Sequence, residues 1–219
     1  MPKIKAILFD NDGTLSNTYW AITTSFKLMM YNICSDRDPD VQKEIKLVGL
    51  PLRDQFYYFT DDEELIDKMY VDFRSYRERL NLDEAECFKG IEEMLKGLHD
   101  AGYFLGVVTS KPHAACEANL RANNIFQYFE YLQGLEDSDV HKPDPGVITF
   151  ACNKIGFSPD EVIYVGDSPY DLRAGSGAGC KTCGVTWGGF FDRADLEPEN
   201  PTLLIDKPAE LVSLAAQTF

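Results

Sequence analysis

Residues 4–16 read IKAILFDNDGTLS, and this stretch decides the fold. Its apolar run, Ile4 to Phe9, has the length and character of a buried strand. The run stops abruptly on Asp10, Asp12 and Gly13. Two carboxylates two residues apart at a strand end repel each other, and a divalent cation beside them removes that cost. An all-oxygen ligand set suits a hard ion such as Mg²⁺. Gly13 permits a turn in which backbone N–H groups approach an anion closely. Read alone, the same residues also make a plain strand followed by a polar Asp/Asn/Gly turn.

Downstream of Ser16 the periodicity changes from strand to helix. Trp20, Ile22, Phe26, Leu28, Met29, Met30 and Ile33 predict a helix over 18–33. Further helices are expected near 39–48 and 52–59. A third runs from a Thr60/Glu63 capping box to about 80. The second half alternates instead. Strands are expected at 104–108, 129–132, 162–165, 182–185 and 202–205, with helices at 90–101, 114–123, 145–155, 170–178 and 208–216. Such alternation implies an α/β fold, a doubly wound, Rossmann-like parallel sheet. The helical block then reads as an insertion after the first strand. The expected organisation is a core of residues 1–15 and 86–219 with a small all-helical domain of residues 16–85.

The chain has 219 residues and a net charge of −15, with 44% hydrophobic and 26% charged residues, as in soluble globular proteins. The acidic balance argues against a nucleic-acid partner. No apolar run reaches the ~20 residues of a membrane-spanning helix. The N-terminus enters a strand without a signal-peptide pattern, so the cytoplasm is the expected location. The six cysteines are scattered and read as reduced core thiols, including the Cys180-x-x-Cys183 pair. His99, His113 and His141 are isolated and read as surface or capping residues.

Four polar clusters fall where strands end or a loop follows: Asp10/Asp12, Thr109/Ser110, Lys142 in His-Lys-Pro-Asp-Pro, and GDSPYD with Asp167 and Asp171. In open α/β sheets, ligands bind beyond the carboxyl ends of the strands. Each cluster alone also reads as a turn, a stiff loop or a helix cap. Together they supply a nucleophile, an acid/base, a hydroxyl, a cation and metal carboxylates, which is an inventory for phosphoryl transfer.

In this order, DxDGTL, a strand ending in Thr-Ser, Lys-Pro and GDSxxD, the sequence resembles the haloacid dehalogenase superfamily over nearly its whole length. FKGIEEMLKGLHDAGYFLGVVTSKP (88–112), YVGDSPYDLRAGSGAG (164–179) and GVTWG (184–188) look most like the phosphoglycolate-phosphatase-like branch with a helical cap. The resemblance implies that Asp10 attacks phosphorus to form an aspartyl-phosphate and that Asp12 is the general acid/base. It further implies Mg²⁺ held by Asp10, the backbone carbonyl of Asp12, and Asp167, with Asp171 close behind. Gly13, Thr109, Ser110 and Lys142 would hold the phosphate. The second carboxylate, Asp12, argues for ester or anhydride hydrolysis over dehalogenation. Asn17 stands where this branch often has Asp, and Asn11 where an apolar residue is common.

The resulting expectation is a Mg²⁺-dependent phosphatase of small organic phosphate monoesters, phosphoglycolate-like. Pyrophosphatase, 5′-nucleotidase and sugar-phosphate mutase chemistry stand as alternatives on the same fold. The expected partner is a small phosphorylated metabolite, with neither nucleic acid nor membrane, and the chain is expected as a monomer or homodimer. Arg53, after Gly49-Leu-Pro-Leu, either binds a second anionic group of the substrate or is a solvated surface arginine. Arg74, Arg77 and Arg79 read as pairing with acidic neighbours on their helix. A receiver domain or a non-catalytic scaffold is the reading from another class; turnover of an aryl phosphate with Mg²⁺ separates them.

Overall fold

A computed structural model describes residues 4–33, 45–79 and 85–218. Its centre is a six-stranded parallel sheet of β1 (Ala6–Phe9), β2 (Phe104–Val108), β3 (Tyr131–Gln133), β4 (Val162–Gly166), β5 (Lys181–Val185) and β6 (Leu203–Ile205). The strand order is β3-β2-β1-β4-β5-β6. Ala6 of β1 is in register with Phe104 on one side and Val162 on the other, so β1 lies between β2 and β4. The chain winds outward through β2 and β3, then returns to β4. The order therefore reverses between β1 and β4, where such sheets place their ligands.

Both faces of the sheet are covered, and alternation along the strands explains how. Ile7 and Phe9 pack with Leu105, Val107, Ile163 and Val165 beneath α4 (Ile91–Asp100), α5 (His113–Ala122) and α9 (Pro208–Thr218). Ala6, Leu8, Val162 and Tyr164 face α6 (Gly146–Ile155) and α7 (Pro169–Gly177) on the other side. Parallel strands buried on both faces carry continuous apolar runs, as β1 and β4 do. A four-residue helix, α8 (Arg193–Leu196), was not apparent in the periodicity. β3 begins two residues later than expected, because a 3-10 turn at Phe126–Tyr128 takes up the preceding chain.

Between β1 and α4 lie α1 (Tyr19–Ile33), α2 (Leu52–Phe56) and α3 (Glu63–Arg79). They share a separate apolar cluster of Phe26, Met29, Met30, Phe56, Ile66, Met69 and Phe73. The helix expected at 39–48 falls largely outside the described residues; its end is a 3-10 turn, Ile45–Leu47. The cap of α3 differs from the Thr60/Glu63 box. Asp62 Oδ1 accepts from Glu64 N at 3.0 Å and Leu65 N at 3.3 Å, and an Asp directly before the first turn satisfies those donors without help from Glu63.

The chain leaves and re-enters the sheet region through one joint. Asn17 N donates to Glu86 O at 2.8 Å, and Ser16 bridges Cys87. Asn119 of α5 and Asn123 directly after it both donate to Ala85 O, each at 2.9 Å. Among the described residues, no helix is long and apolar enough to cross a membrane.

Candidate active site

β1 ends at Asp10, whose backbone N–H extends the sheet ladder to Val165 O at 2.9 Å. Asp10 is therefore set beside Asp167, the first residue beyond β4. Asp171 joins them from the first turn of α7. Ser168 caps that helix, with its Oγ accepting from Asp171 N at 3.2 Å. Oxygens of Asp10, Asp167 and Asp171 lie within 4.8 Å of one another, and all three residues are buried.

Three buried carboxylates this close need compensation. Lys142 supplies part of it, with Nζ 3.0 Å from Asp10 Oδ1 and 2.7 Å from Asp171 Oδ1. Asp171 is the best satisfied of the three. Its Oδ1 also accepts from Tyr164 Oη at 3.2 Å, and its Oδ2 from Ser168 N at 3.1 Å and Ser168 Oγ at 2.5 Å. In contrast, Asp10 Oδ1 and Asp167 Oδ2 are buried without a hydrogen bond. Thr14 Oγ1 donates to the other Asp167 oxygen at 3.2 Å. The orphaned Asp167 Oδ2, beside Asp10 Oδ1 that faces only the Lys142 ammonium at 3.0 Å, makes an all-oxygen cluster that fits a hard divalent cation.

The ionisation behaviour follows. Burial pushes Asp10 up from 3.8 to about 6, against the pull of Lys142 and a hydrogen bond from Thr109; Asp171 and Asp12 push it further up. Burial likewise holds Asp167 well above the usual carboxylate range, with Asp171 and Asp10 adding to the effect. Burial disfavours the charged form of Lys142, yet the two facing carboxylates hold it well above the usual lysine value.

Asp12 turns the other way. Its Oδ1 accepts from Lys111 Nζ at 3.0 Å and Asn11 Nδ2 at 3.1 Å. Burial raises its pKa, but Lys111 and then Arg77 outweigh that and leave it below the ordinary value. So the carboxylate of Asp12 lies outside the group formed by Asp10, Asp167 and Asp171. Asn11 is buried and organises the turn. Its backbone oxygen accepts from Thr14, Leu15 and Ser16, and its Oδ1 from Ser16 Oγ at 3.2 Å. A polar residue there has a local structural reason.

Thr109 and Ser110 leave β2 side by side, but only Thr109 faces Asp10. Ser110 Oγ donates to Gly49 O of the helical segment at 2.7 Å. A cavity of about 310 Å³ opens between the two parts of the chain, with Asp10, Asp12 and Lys111 on one side and Arg53, Arg74 and Arg77 on the other. Arg53 is exposed, and its guanidinium is held by Asp67 at 2.5 Å and Glu63 at 3.1 Å. Arg77 is only 6% exposed, and its charge acts on Asp12. That burial and its reach to Asp12 go beyond the pairing with acidic helix neighbours expected of Arg74, Arg77 and Arg79. Lys111 is likewise a site residue that sequence reasoning passed over, as is Thr14. Arg77 had a signal: Ile66, Met69, Phe73 and Arg77 follow helical spacing on the buried side of α3.

The model of haloacid dehalogenase-like hydrolases matches residues 7–185. The protein named "Putative pyrophosphatase PpaX" of Clostridium perfringens is 39% identical over 211 residues, covering 96% of this chain and 97% of its own. Pyrophosphatase PpaX of Bacillus cereus strain AH820 is 30% identical over 214 residues, covering 97% and 96%. A haloacid dehalogenase-like hydrolase structure from Streptococcus pneumoniae superimposes with a TM-score of 0.83 at 27% identity, over 97% of this chain and 99% of that one.

Proposed function

The chain belongs to the haloacid dehalogenase-like hydrolase family, and on that premise we propose that it is a Mg²⁺-dependent hydrolase of inorganic pyrophosphate. Residues 16–85 serve as the cap over a core of 1–15 and 86–219. The observation that carries the chemistry is the division of labour between two ion-paired clusters, one buried and one half-buried. Asp10 sits with Lys142, Asp167 and Asp171 on one side. Asp12 sits with Lys111 on the other.

Asp10 is the nucleophile, and its attack on phosphorus gives an aspartyl-phosphate. Asp10 and Asp167, with the backbone of Asp12, would hold Mg²⁺, which when bound offsets the repulsion between nucleophile and phosphate. Asp171, held by Lys142 and by Ser168 N and Oγ, anchors Lys142 and aims its ammonium at the phosphate. Thr109 and the Gly13 turn hold the remaining phosphate oxygens, with the Ser110 backbone beside them. Asp12, held ionised by Lys111, takes the proton from the water that opens the intermediate. A phosphate leaving group asks little proton donation in the first step, whereas an alkoxide asks a good deal.

That last point favours an anhydride over the phosphoglycolate-like monoester that the sequence motifs suggested. So do two further supports: the end-to-end relatives named pyrophosphatase, and the cations Lys111, Arg74 and Arg77 around a cavity of about 310 Å³. A panel of pyrophosphate, phosphoglycolate, nucleoside monophosphates and hexose phosphates tests the reading. The expected result is the highest kcat/KM for pyrophosphate, abolished by EDTA and restored by Mg²⁺. A monoester turned over better than pyrophosphate overturns the substrate, and full activity in EDTA overturns the metal.

A further inference from the structure

The motif GVTWG at 184–188 takes no part in the chemistry above, yet it ends against the metal-fitting carboxylates. β5 runs out at Val185 into Thr186, Trp187 and Gly188. Trp187 Nε1 donates to Thr14 O at 2.9 Å. Thr14 in turn holds Asp167 Oδ1 through its hydroxyl. Gly188 closes the other side. A Cβ at position 188 would stand 2.4 Å from Asp167 Oδ2 and 2.5 Å from Gly13 O, so neither the carboxylate nor the backbone leaves room for a methyl group. Gly13, whose φ is +80°, abuts the same carboxylate; a Cβ there would lie 2.2 Å from Asp167 Oδ2. The Asp167 carboxylate is thus fixed by one hydroxyl and wedged between two glycines, with Oδ2 left as the orphaned oxygen.

We infer that residues 186–188 are a positioning element for the cation site: the indole N–H of Trp187 fixes the Gly13–Thr14 turn, and the bare backbone of Gly188 sets the orientation of Asp167. The inference rests on the Mg²⁺ reading given above. Groups that orient metal ligands typically change metal affinity by about 10- to 100-fold when removed. Gly188 has no left-handed backbone that would confound a substitution, so Gly188→Ala reports the contact itself. Trp187→Phe keeps an aromatic ring at the edge of the main core and removes the N–H donor along with part of the indole, so circular dichroism checks that the core still folds.

The test is Mn²⁺ binding to substrate-free protein, followed by electron paramagnetic resonance, with circular dichroism as the check on folding. Gly188→Ala is expected to weaken Mn²⁺ by about 10- to 100-fold, and Trp187→Phe by roughly 3- to 10-fold. Excess Mg²⁺ should restore turnover in Trp187→Phe, because the defect is in metal affinity. Wild-type Mn²⁺ affinity in Trp187→Phe, or in a folded Gly188→Ala, overturns the inference; if Gly188→Ala does not fold, Trp187→Phe decides alone. A turnover defect that excess metal leaves unchanged also overturns it. Failure of the unsubstituted protein to bind Mn²⁺ or Mg²⁺ overturns the metal reading, an outcome seen before either variant is compared.

Discussion

Replacing Asp10 by Asn should remove turnover and, without metal, make the protein more stable at neutral pH. Asp10 is 3% exposed, and its pKa rises from 3.8 to about 6 on folding. Between those values the unfolded chain releases a proton that the folded chain keeps. Stability therefore falls as pH rises through that window, and the whole penalty is present above about pH 6. A rise of about two units corresponds to roughly 3 kcal/mol at 1.36 kcal/mol per unit. The near-isosteric amide carries no such penalty. In EDTA, Asp10→Asn should match wild type near pH 4 and exceed it by about 3 kcal/mol at pH 7.5, or roughly 6–12 °C in Tm for a chain of this size. Urea denaturation at the two pH values measures the difference. Mg²⁺ at about 100 times its Kd should return about 2.7 kcal/mol to wild type and distinctly less to the variant. A variant equal to or less stable than wild type at pH 7.5 in EDTA would refute the burial argument. Substantial residual hydrolysis would refute the nucleophile.

Three other substitutions probe the rest of the site. Asp12→Asn should leave phosphorylation by an aryl phosphate largely intact while slowing hydrolysis of the intermediate, so that aspartyl-phosphate accumulates in rapid-quench experiments; equal loss of both steps contradicts the acid/base role. Lys142→Met strands the Asp10 and Asp171 carboxylates and should destabilise the metal-free protein by about 3–5 kcal/mol at pH 7.5, with less loss at pH 4, where Asp10 takes up its proton; an unchanged melting temperature at pH 7.5 refutes the pairing. Arg77→Ala should lower kcat/KM for pyrophosphate by roughly 10- to 150-fold relative to an aryl phosphate, the range of a lost charge-assisted hydrogen bond. Arg53→Ala, tied to Asp67 and Glu63 on an exposed surface, should change both substrates by the same small factor. A selective loss in Arg53→Ala and none in Arg77→Ala would reverse the assignment.

The core of the site was legible because parallel α/β topology turns sequence position into spatial position. Every strand of such a sheet points the same way, so a polar cluster that ends one strand sits beside a cluster that ends its neighbour. Asp10, Thr109 and Asp167 come together for that reason alone, and Lys142 and Asp171 follow from the loop and helix cap attached to those ends. The partners that were missed lie on the same turns but carry ordinary side chains. Lys111 follows Ser110 in a turn where a solvated lysine is usual, and only the half-buried carboxylate of Asp12 makes it an ion-pair partner. Thr14 reads as part of a motif's spacing until its hydroxyl is seen on Asp167.

The cap obeys no comparable rule, and its residues were harder to rank for a physical reason. A helical insertion can approach the sheet with any face, so nothing local says which of its cations meets the substrate. Arg53 follows a Gly-x-Pro turn, but turn chemistry fixes backbone direction, not the partner of a long flexible side chain; Glu63 and Asp67, in the first and second turns of α3, claim it first. Arg77 was discounted because acidic neighbours on a helix usually pair with arginines. The stronger constraint was burial. A guanidinium at a position in phase with Ile66, Met69 and Phe73 is driven under the cap, where only an anion repays its desolvation. The anion facing it in the core is Asp12, whose carboxylate already answers to Lys111. Arg77 and Lys111 both act on that carboxylate, and both line the cavity of about 310 Å³. On this argument the cap contributes charge for the leaving group, while the sheet, with its metal-fitting carboxylates and Lys142, handles the group that is transferred.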